Sequence, residues 1–340
     1  MLAYQKKQTG GSSTRGASLA VCVFVCVLII GTLSAWKLLQ VEAPKDAPWL
    51  YQEIWMGTRD RLLSALLIGA ALGTAGVLLR TATSNPLADP HITGVNSGAA
   101  FGAVASSFIT GSSTGVYLLP GALVGAAVAS GITLTLSLRG RNPDLSGTNA
   151  IQKMVLLGIA VSAVFSAMTS IFLVLDEAQL TTVLAWLNGR LGGIRLPDLI
   201  PVIVAVAVLL PILFAAGRAL DALSTGDSVS RAIGANPAVV RKWVVVSAVI
   251  LTATCVAAAG PIGFLGLLAA VIAQRVCGRA HRFVLISAAC VGATVLLVAD
   301  TIGQQLWAPA ETPVGILTGI AGVPLLLWGI RSMGSTGKSR

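Results

Sequence analysis

Side chains able to do covalent or metal chemistry are few and scattered in this sequence. There are two histidines, His91 and His281, and five cysteines, Cys22, Cys26, Cys255, Cys277 and Cys290. The cysteines lie in or beside apolar runs, are odd in number and lack metal-ligand spacing, so they read as small core residues. No Ser/His/Asp or Cys/His set can be assembled at one depth, and neither HExxH nor GxxxxGK followed by Ser or Thr occurs. The chain therefore reads as neither a hydrolase nor an ATPase, and no cofactor or metal site is expected. Its polar chemistry is concentrated in Asp221–Lys242, DALSTGDSVSRAIGANPAVVRK. This island sets the carboxylates Asp221 and Asp227 beside the cations Arg231, Arg241 and Lys242, between long apolar runs. Such an island reads either as a solvated loop with incidental charge or as a docking surface for a cytoplasmic partner. The punctuation predicts two short helices. Asp227 or Ser228 caps the first and Gly234 ends it in the left-handed conformation. Asn236 as N-cap and Pro237 at the first helical position start the second.

The elements that must hold this island are membrane helices. Of 340 residues, 55% are hydrophobic and 11% charged, with a mean hydropathy of +0.85. A soluble domain carries about 25% charged residues. Residues 1–17 are basic and rich in Gly and Ser, as a mobile cytoplasmic tail would be. The apolar run 18–36 is too long for a signal peptide and shows no clear cleavage site, so it is expected to stay as a span. Further spans are expected at 62–80, 93–110, 115–137, 150–175, 198–217, 243–259, 261–276, 282–300 and 314–331, ten in all. The polar segment 37–60, with Trp49 and Trp55, fits a membrane interface.

With both termini inside, every Lys and Arg of the 23 falls on the inner side except Lys37, Lys45, Arg59, Arg61, Arg190 and Arg195. Of the 13 carboxylates only Asp89, Asp144, Asp221 and Asp227 are inside. The positive-inside rule is satisfied, so the net charge of +10 is a matter of orientation, with no nucleic-acid partner implied. Glycines recur at four-residue spacing: Gly69/Gly73 then Gly76, Gly98/Gly102, Gly121/Gly125, and Gly315/Gly319 then Gly322. These allow close helix approach, either within the subunit or at a dimer seam. Charge at mid-membrane depth is nearly missing, which argues against an ion-coupled transporter or a voltage sensor.

Three ordered motifs go further. The first is Gly69–Arg80 followed by Ser84-Asn85-Pro86-Leu87-Ala88-Asp89-Pro90 and Gly94. The second is Gly226-Asp227 with Arg231, Gly234 and Arg241. The third is Ala259–Leu267 with Ala299-Asp300-Thr301 and Pro313–Thr318. Across residues 55–333 the chain resembles the permease subunits of iron-siderophore, haem and cobalamin ABC importers, the FecCD-like family. The resemblance implies an all-α, polytopic membrane protein of type II ABC importer permease architecture, with a permease domain over 18–333 and a cytoplasmic tail at 334–340. It implies a cytoplasmic ATPase dimer docked on the coupling segment 221–241 (Asp221, Gly226, Asp227, Arg231, Gly234, Asn236, Pro237 and Arg241). It also implies a second permease subunit, an extracytoplasmic substrate-binding protein and surrounding membrane lipids as partners. In such importers ATP closes the ATPases and the coupling helices switch the path from one face to the other, passing a ferric siderophore or related chelate inward. Haem and cobalamin are the alternative cargoes, and an ATPase-independent secondary transporter is the rival class.

The binding protein's carboxylates would meet arginines: Arg59 and Arg61 before the second span, Arg190 and Arg195 in the following outer loop 186–197. Asn96, Ser97, Ser106, Ser107 and Thr110 on the third span are candidates to line the path, and interhelical hydrogen bonding explains them equally well. The chain departs from the family at three places. Arg80 stands where Gln is usual, Ser84 where Arg is usual, and the run Gly266–Val271 lacks a Pro-His pair. Such changes suit a heterodimer in which a different, homologous permease keeps the usual residues.

Overall fold

Small and apolar residues on all sides of one long helix place it at the centre of the bundle. Residues Tyr51–Thr83 form α2, 33 residues and so about 50 Å long at 1.5 Å per residue. Side chains are buried almost continuously from Ala71 to Thr83, as a helix apolar all round requires. The computed structural model describes residues 2–43, 46–85, 88–89, 93–112, 115–138, 147–175, 184, 186–232, 234, 236–278, 280–306, 312–322 and 324. Before α2 runs α1 (Leu2–Leu39), and after it come α3 (Val95–Thr110), α4 (Gly115–Leu138) and α5 (Gly147–Leu175). Then follow α6 (Ile200–Ala215), α7 (Gly217–Ser224), α8 (Asp227–Ala232), α9 (Pro237–Ala259), α10 (Leu265–Cys277) and α11 (His281–Leu306). A last helix, α12, covers 314–322. Among the described residues there is no strand.

Two packed groups share α9. In the first, α2 lies against α9, α10 and α11, with α1 laid over α10 and α11; in the second, α3 packs on α4 and α5. Glycines make both close approaches. A Cβ on Gly69, Gly73 or Gly76 would strike the carbonyl of Gly292, Ala288 or Gly266 respectively. Gly98 and Gly102 on α3 face Gly125 and Gly121 on α4 in the same way. The four-residue glycine spacing thus serves packing within the chain. Gly319 differs, with nothing within 4 Å of its Cβ position.

Nine of the expected spans overlap described helices, and the tenth, 314–331, is described as helix over 314–322. Among the described residues seven helices are long and apolar enough to cross a membrane by length and composition, while α10 is a shorter apolar helix. With 16 residues, α3 is also short, and α12 is described over 314–322 only. Several expectations need correction. The backbone of residues 2–17, expected as a tail, is helical and continuous with the rest of α1. The helix containing the second expected span starts eleven residues early, at Tyr51. The second short helix of the polar island is no separate element, because α9 runs unbroken from Pro237 to Ala259. The extra short helix is α7, which buries Leu220, Ala222 and Leu223 and exposes Arg218 and Ser224. His91, Pro86, Leu87, Pro90 and the tail 334–340 lie outside the described residues.

Candidate functional site

Charged residues gather at the two ends of α2. At its C-terminal end sits the polar island. Gly226 accepts from the Ser230 amide at 2.9 Å, so it takes the capping place expected of Asp227 or Ser228. Asp227 stands in the first turn of α8, where a negative charge meets the positive end of the helix. Its carboxylate is held by the Arg241 fork, Nη2 to Oδ1 at 2.7 Å and Nη1 to Oδ2 at 3.3 Å. The Arg241 hydrogen bond, reinforced by the charges of Arg241 and Arg231 and partly offset by desolvation, keeps Asp227 below the ordinary carboxylate value. Arg241 Nε donates to the Ala82 carbonyl of α2 at 2.9 Å. One guanidinium therefore joins α8, α9 and α2. Gly234 has φ +83° as its helix-ending role demands. The Asn236 side chain accepts from the amides of Ala238 and Val239, with Pro237 opening α9.

A second bridge ties α7 to the same end. Asp221 Oδ1 accepts from the His281 backbone amide at 2.8 Å and lies 2.8 Å from His281 Nδ1. His281 Nε2 in turn lies 2.8 Å from Thr81 Oγ1 on α2. His281 is buried, while Arg231 and Lys242 are exposed. Hence Asp221, Asp227, Asn236 and Arg241 shape the island internally, and Arg231 with its exposed neighbours Ser228 and Val229 forms the outward surface.

The N-terminal end of α2 joins the loop 186–199. Asp60 is buried, accepts from the Leu196 amide at 3.1 Å and pairs with Arg59 at 2.7 Å. Arg59 also lies over the Trp55 ring at 5.7 Å. Arg195 reaches Glu53 at 3.3 Å, with both side chains more than half exposed. Arg190 is exposed, and its amide is held by the Ala259 carbonyl at 2.9 Å. The four arginines expected in docking thus share one end of the molecule.

Arg61 differs from the other three, being only 15% exposed and paired with Asp300 at 2.9 Å. The buried Lys37 binds the same carboxylate at 2.9 Å, and Gln304 Nε2 adds a hydrogen bond at 2.9 Å. Asp300 itself is 1% exposed. This cluster lies beside a cavity of about 260 Å³ lined by Lys37, Gly57, Arg61, Gly193 and Gln304 among others. Lys37 and Asp300, expected at span ends, are instead packed between helices. Their chain separation of 263 residues leaves no local signal of the pairing.

On α3 the candidate path residues serve packing in part. Ser106 Oγ donates to the Tyr117 carbonyl of α4 at 2.7 Å, and Thr110 Oγ1 donates to Ser106 O at 2.7 Å. Ser107 is buried, Thr110 is exposed, and Asn96 and Ser97 are half-buried. Ser106 also edges an apolar groove of about 410 Å³ between α3, α4 and α5. At the family departures, Ala269 and Ala270 are fully buried and α10 passes through 269–271 without a break. Ser84 caps the C-terminus of α2 in the left-handed conformation at φ 49°.

A bundle of apolar helices with glycine-mediated close packing, a clamped polar island at one end and an arginine-bearing loop at the other is a multi-pass membrane permease. The FecCD transport family model matches residues 18–332, and the chain belongs to that family. It is 35% identical over 269 residues to the Fe(3+)-citrate import system permease protein YfmE of Bacillus subtilis, covering 79% of this chain and 78% of that protein. Identity to the Fe(3+) dicitrate transport system permease protein FecD of Escherichia coli is 35% over 269 residues, covering 79% and 81%. The hemin transport system permease protein HmuU of Yersinia pestis is 33% identical over 309 residues, covering 88% and 89%. A solved structure described as an inward-facing conformation of a metal-chelate type ABC transporter superposes with a TM-score of 0.78 at 26% identity, covering 91% of this chain and 98% of that one.

Proposed function

We propose that this chain is one of two permease subunits through which a bacterial ABC importer passes a ferric siderophore, or a related iron chelate, into the cytoplasm. ATP is hydrolysed by partner subunits, and the chain contributes the path and the coupling. The observation that carries this reading is the clamp of the polar island on α2, made by Arg241 to Ala82 and by Asp221 through His281 to Thr81. A push on α7 and α8 from a cytoplasmic ATPase is delivered directly to the central helix. Gly226, Gly234 and Pro237 set the angles between the short helices, and Arg231 faces the ATPase.

At the other end, Arg59, Arg190 and Arg195 meet carboxylates of the substrate-binding protein. Arg61, held by Asp300, shapes that surface from beneath. Exposed charges of this kind govern encounter rate more than affinity. Asn96, Ser97, Ser106, Ser107 and Thr110 border the path, which a second and different permease completes. Both termini lie in the cytoplasm and the protein sits in the inner or plasma membrane.

The test is uptake of iron-loaded siderophore by cells carrying wild type, a deletion of the gene, or Gly234→Pro. That substitution is incompatible with φ +83° and removes the Gly234 amide bond to Arg231 O. Both changes are expected to abolish uptake while Gly234→Pro still reaches the membrane. Uptake unaffected by deletion would overturn the assignment. A haem cargo is the second reading, favoured by the likeness to HmuU, and haemin as sole iron source separates the two.

A further inference from the structure

Buried charge in this molecule is matched almost everywhere. Among the described residues Lys37, Asp60, His281 and Asp300 are buried and each has a charged or hydrogen-bonding partner. Arg80 is the exception. Its side chain is only 7% exposed, and Nε and Nη1 are shut away from solvent with no hydrogen-bond partner. Among the described residues neither nitrogen meets an acceptor, so the Nε and Nη1 sides of the planar fork are open to one. A guanidinium cannot shed its charge as a carboxylate or an amine can, and a buried charge without a partner is strongly disfavoured.

An ionisable side chain within a membrane helix that faces the bundle interior marks a ligand pathway by default. A flat cation open on two sides matches the geometry of a carboxylate. Arg80 also directly precedes the two residues through which the polar island grips α2, Thr81 and Ala82. Movement of the island therefore moves the backbone that carries Arg80.

We propose that Arg80 is the carboxylate-binding residue in the inner half of the path, and that it selects anionic, carboxylate-bearing iron chelates over neutral ones. Its fork is buried in the state seen here and meets the cargo when the coupling segment shifts the end of α2. The inference rests on the iron-chelate reading above and narrows it to one charge class of cargo.

The test uses the assembled importer with this chain as wild type, Arg80→Gln or Arg80→Lys. Ferric citrate is the anionic probe, and the ferric complex of a neutral trihydroxamate is its uncharged counterpart. In Arg80→Gln the ratio of citrate to trihydroxamate uptake is expected to fall about tenfold or more, the loss of one charge-assisted hydrogen bond. Arg80→Lys is expected to restore part of it. Thermal unfolding of the purified complex gives an independent readout. Without ligand, Arg80→Gln is expected to melt no lower than wild type, because an unmatched buried charge has been removed. Added ferric citrate is expected to raise the melting temperature of wild type and to leave that of Arg80→Gln nearly unmoved.

If Arg80→Gln melts several degrees lower without ligand, the guanidinium is a structural strut and the proposal fails. It fails equally if ferric citrate stabilises both forms alike, or if Arg80→Gln separates the two permease subunits, which would place the acceptor on the neighbouring chain. Absence of wild-type uptake from either chelate would sink the iron-chelate reading, and the anion-binding result from unfolding would still decide the role of Arg80.

Discussion

Asp300 holds two cations at once, Lys37 and Arg61, and is itself almost inaccessible. Asp300→Asn would leave both cations packed between helices without their counter-charge. Removing one partner of a buried ionic set costs about 3–5 kcal/mol, so a large fall in melting temperature is expected. Arg195→Ala offers the contrast. Its pair with Glu53 is well exposed on both sides, and such pairs contribute about 0–1 kcal/mol; the variant should melt with wild type and slow only delivery by the binding protein. Asp227 adds a pH dependence. Its value in the folded chain is depressed below the ordinary 3.8. The stability it contributes is therefore fully present above about pH 4 and is lost as the pH falls through the depressed value. Hydrogen exchange of the α8 amides should rise in that acid window in wild type. In Asp227→Asn it should already be raised at neutral pH and change little on acidification. A flat wild-type profile would deny the Arg241 clasp any energetic weight.

At the scale of elements, what a few neighbouring residues determine was legible and what distant partners determine was not. Gly234, Asn236 and Pro237 announce their chain reversal and helix start because capping is local chemistry, and all three take up those conformations. The expected break after the second short helix failed because the stretch from Pro237 to Trp243 has no stop signal and runs on into an apolar helix. The bridges from Asp221 to His281 and from Lys37 to Asp300 join residues 60 and 263 positions apart, beyond any periodicity. Glycine spacing was readable as close packing, and its energetics can be tested pairwise. Gly102→Leu drives a side chain into the Gly121 backbone, which cannot yield without parting α3 from α4, so loss of folded protein is expected. Gly131 lies within α4 with nothing within 4 Å of its Cβ position. Gly131→Ala should therefore raise stability by about 0.5–1 kcal/mol through helix propensity. Equal destabilisation by both would mean that the α3–α4 seam is not what the glycines serve.

At the scale of the whole molecule, orientation follows from charge and can be tested from either side of the membrane. The positive-inside rule counts cations in loops near the ends of spans, and the structure refines which cations qualify. Of the six assigned to the outer side by sequence, Lys37 and Arg61 are packed against Asp300 and leave the count, whereas burial removes Arg80 from the inner side. The asymmetry grows, because two of six are lost on one side and one of seventeen on the other. The proposed orientation has the island at the C-terminal end of α2 cytoplasmic and the arginine-bearing loop 186–199 external. Ser224 is exposed on α7, and Trp49 is 75% exposed ahead of α2. The native cysteines are buried or half-buried, so a membrane-impermeant maleimide should report chiefly on a cysteine placed at either position. Trp49→Cys is expected to label in intact spheroplasts and Ser224→Cys only in inverted vesicles. The reverse pattern would turn the polar island away from ATP, and with it the coupling role of every residue from Asp221 to Arg241.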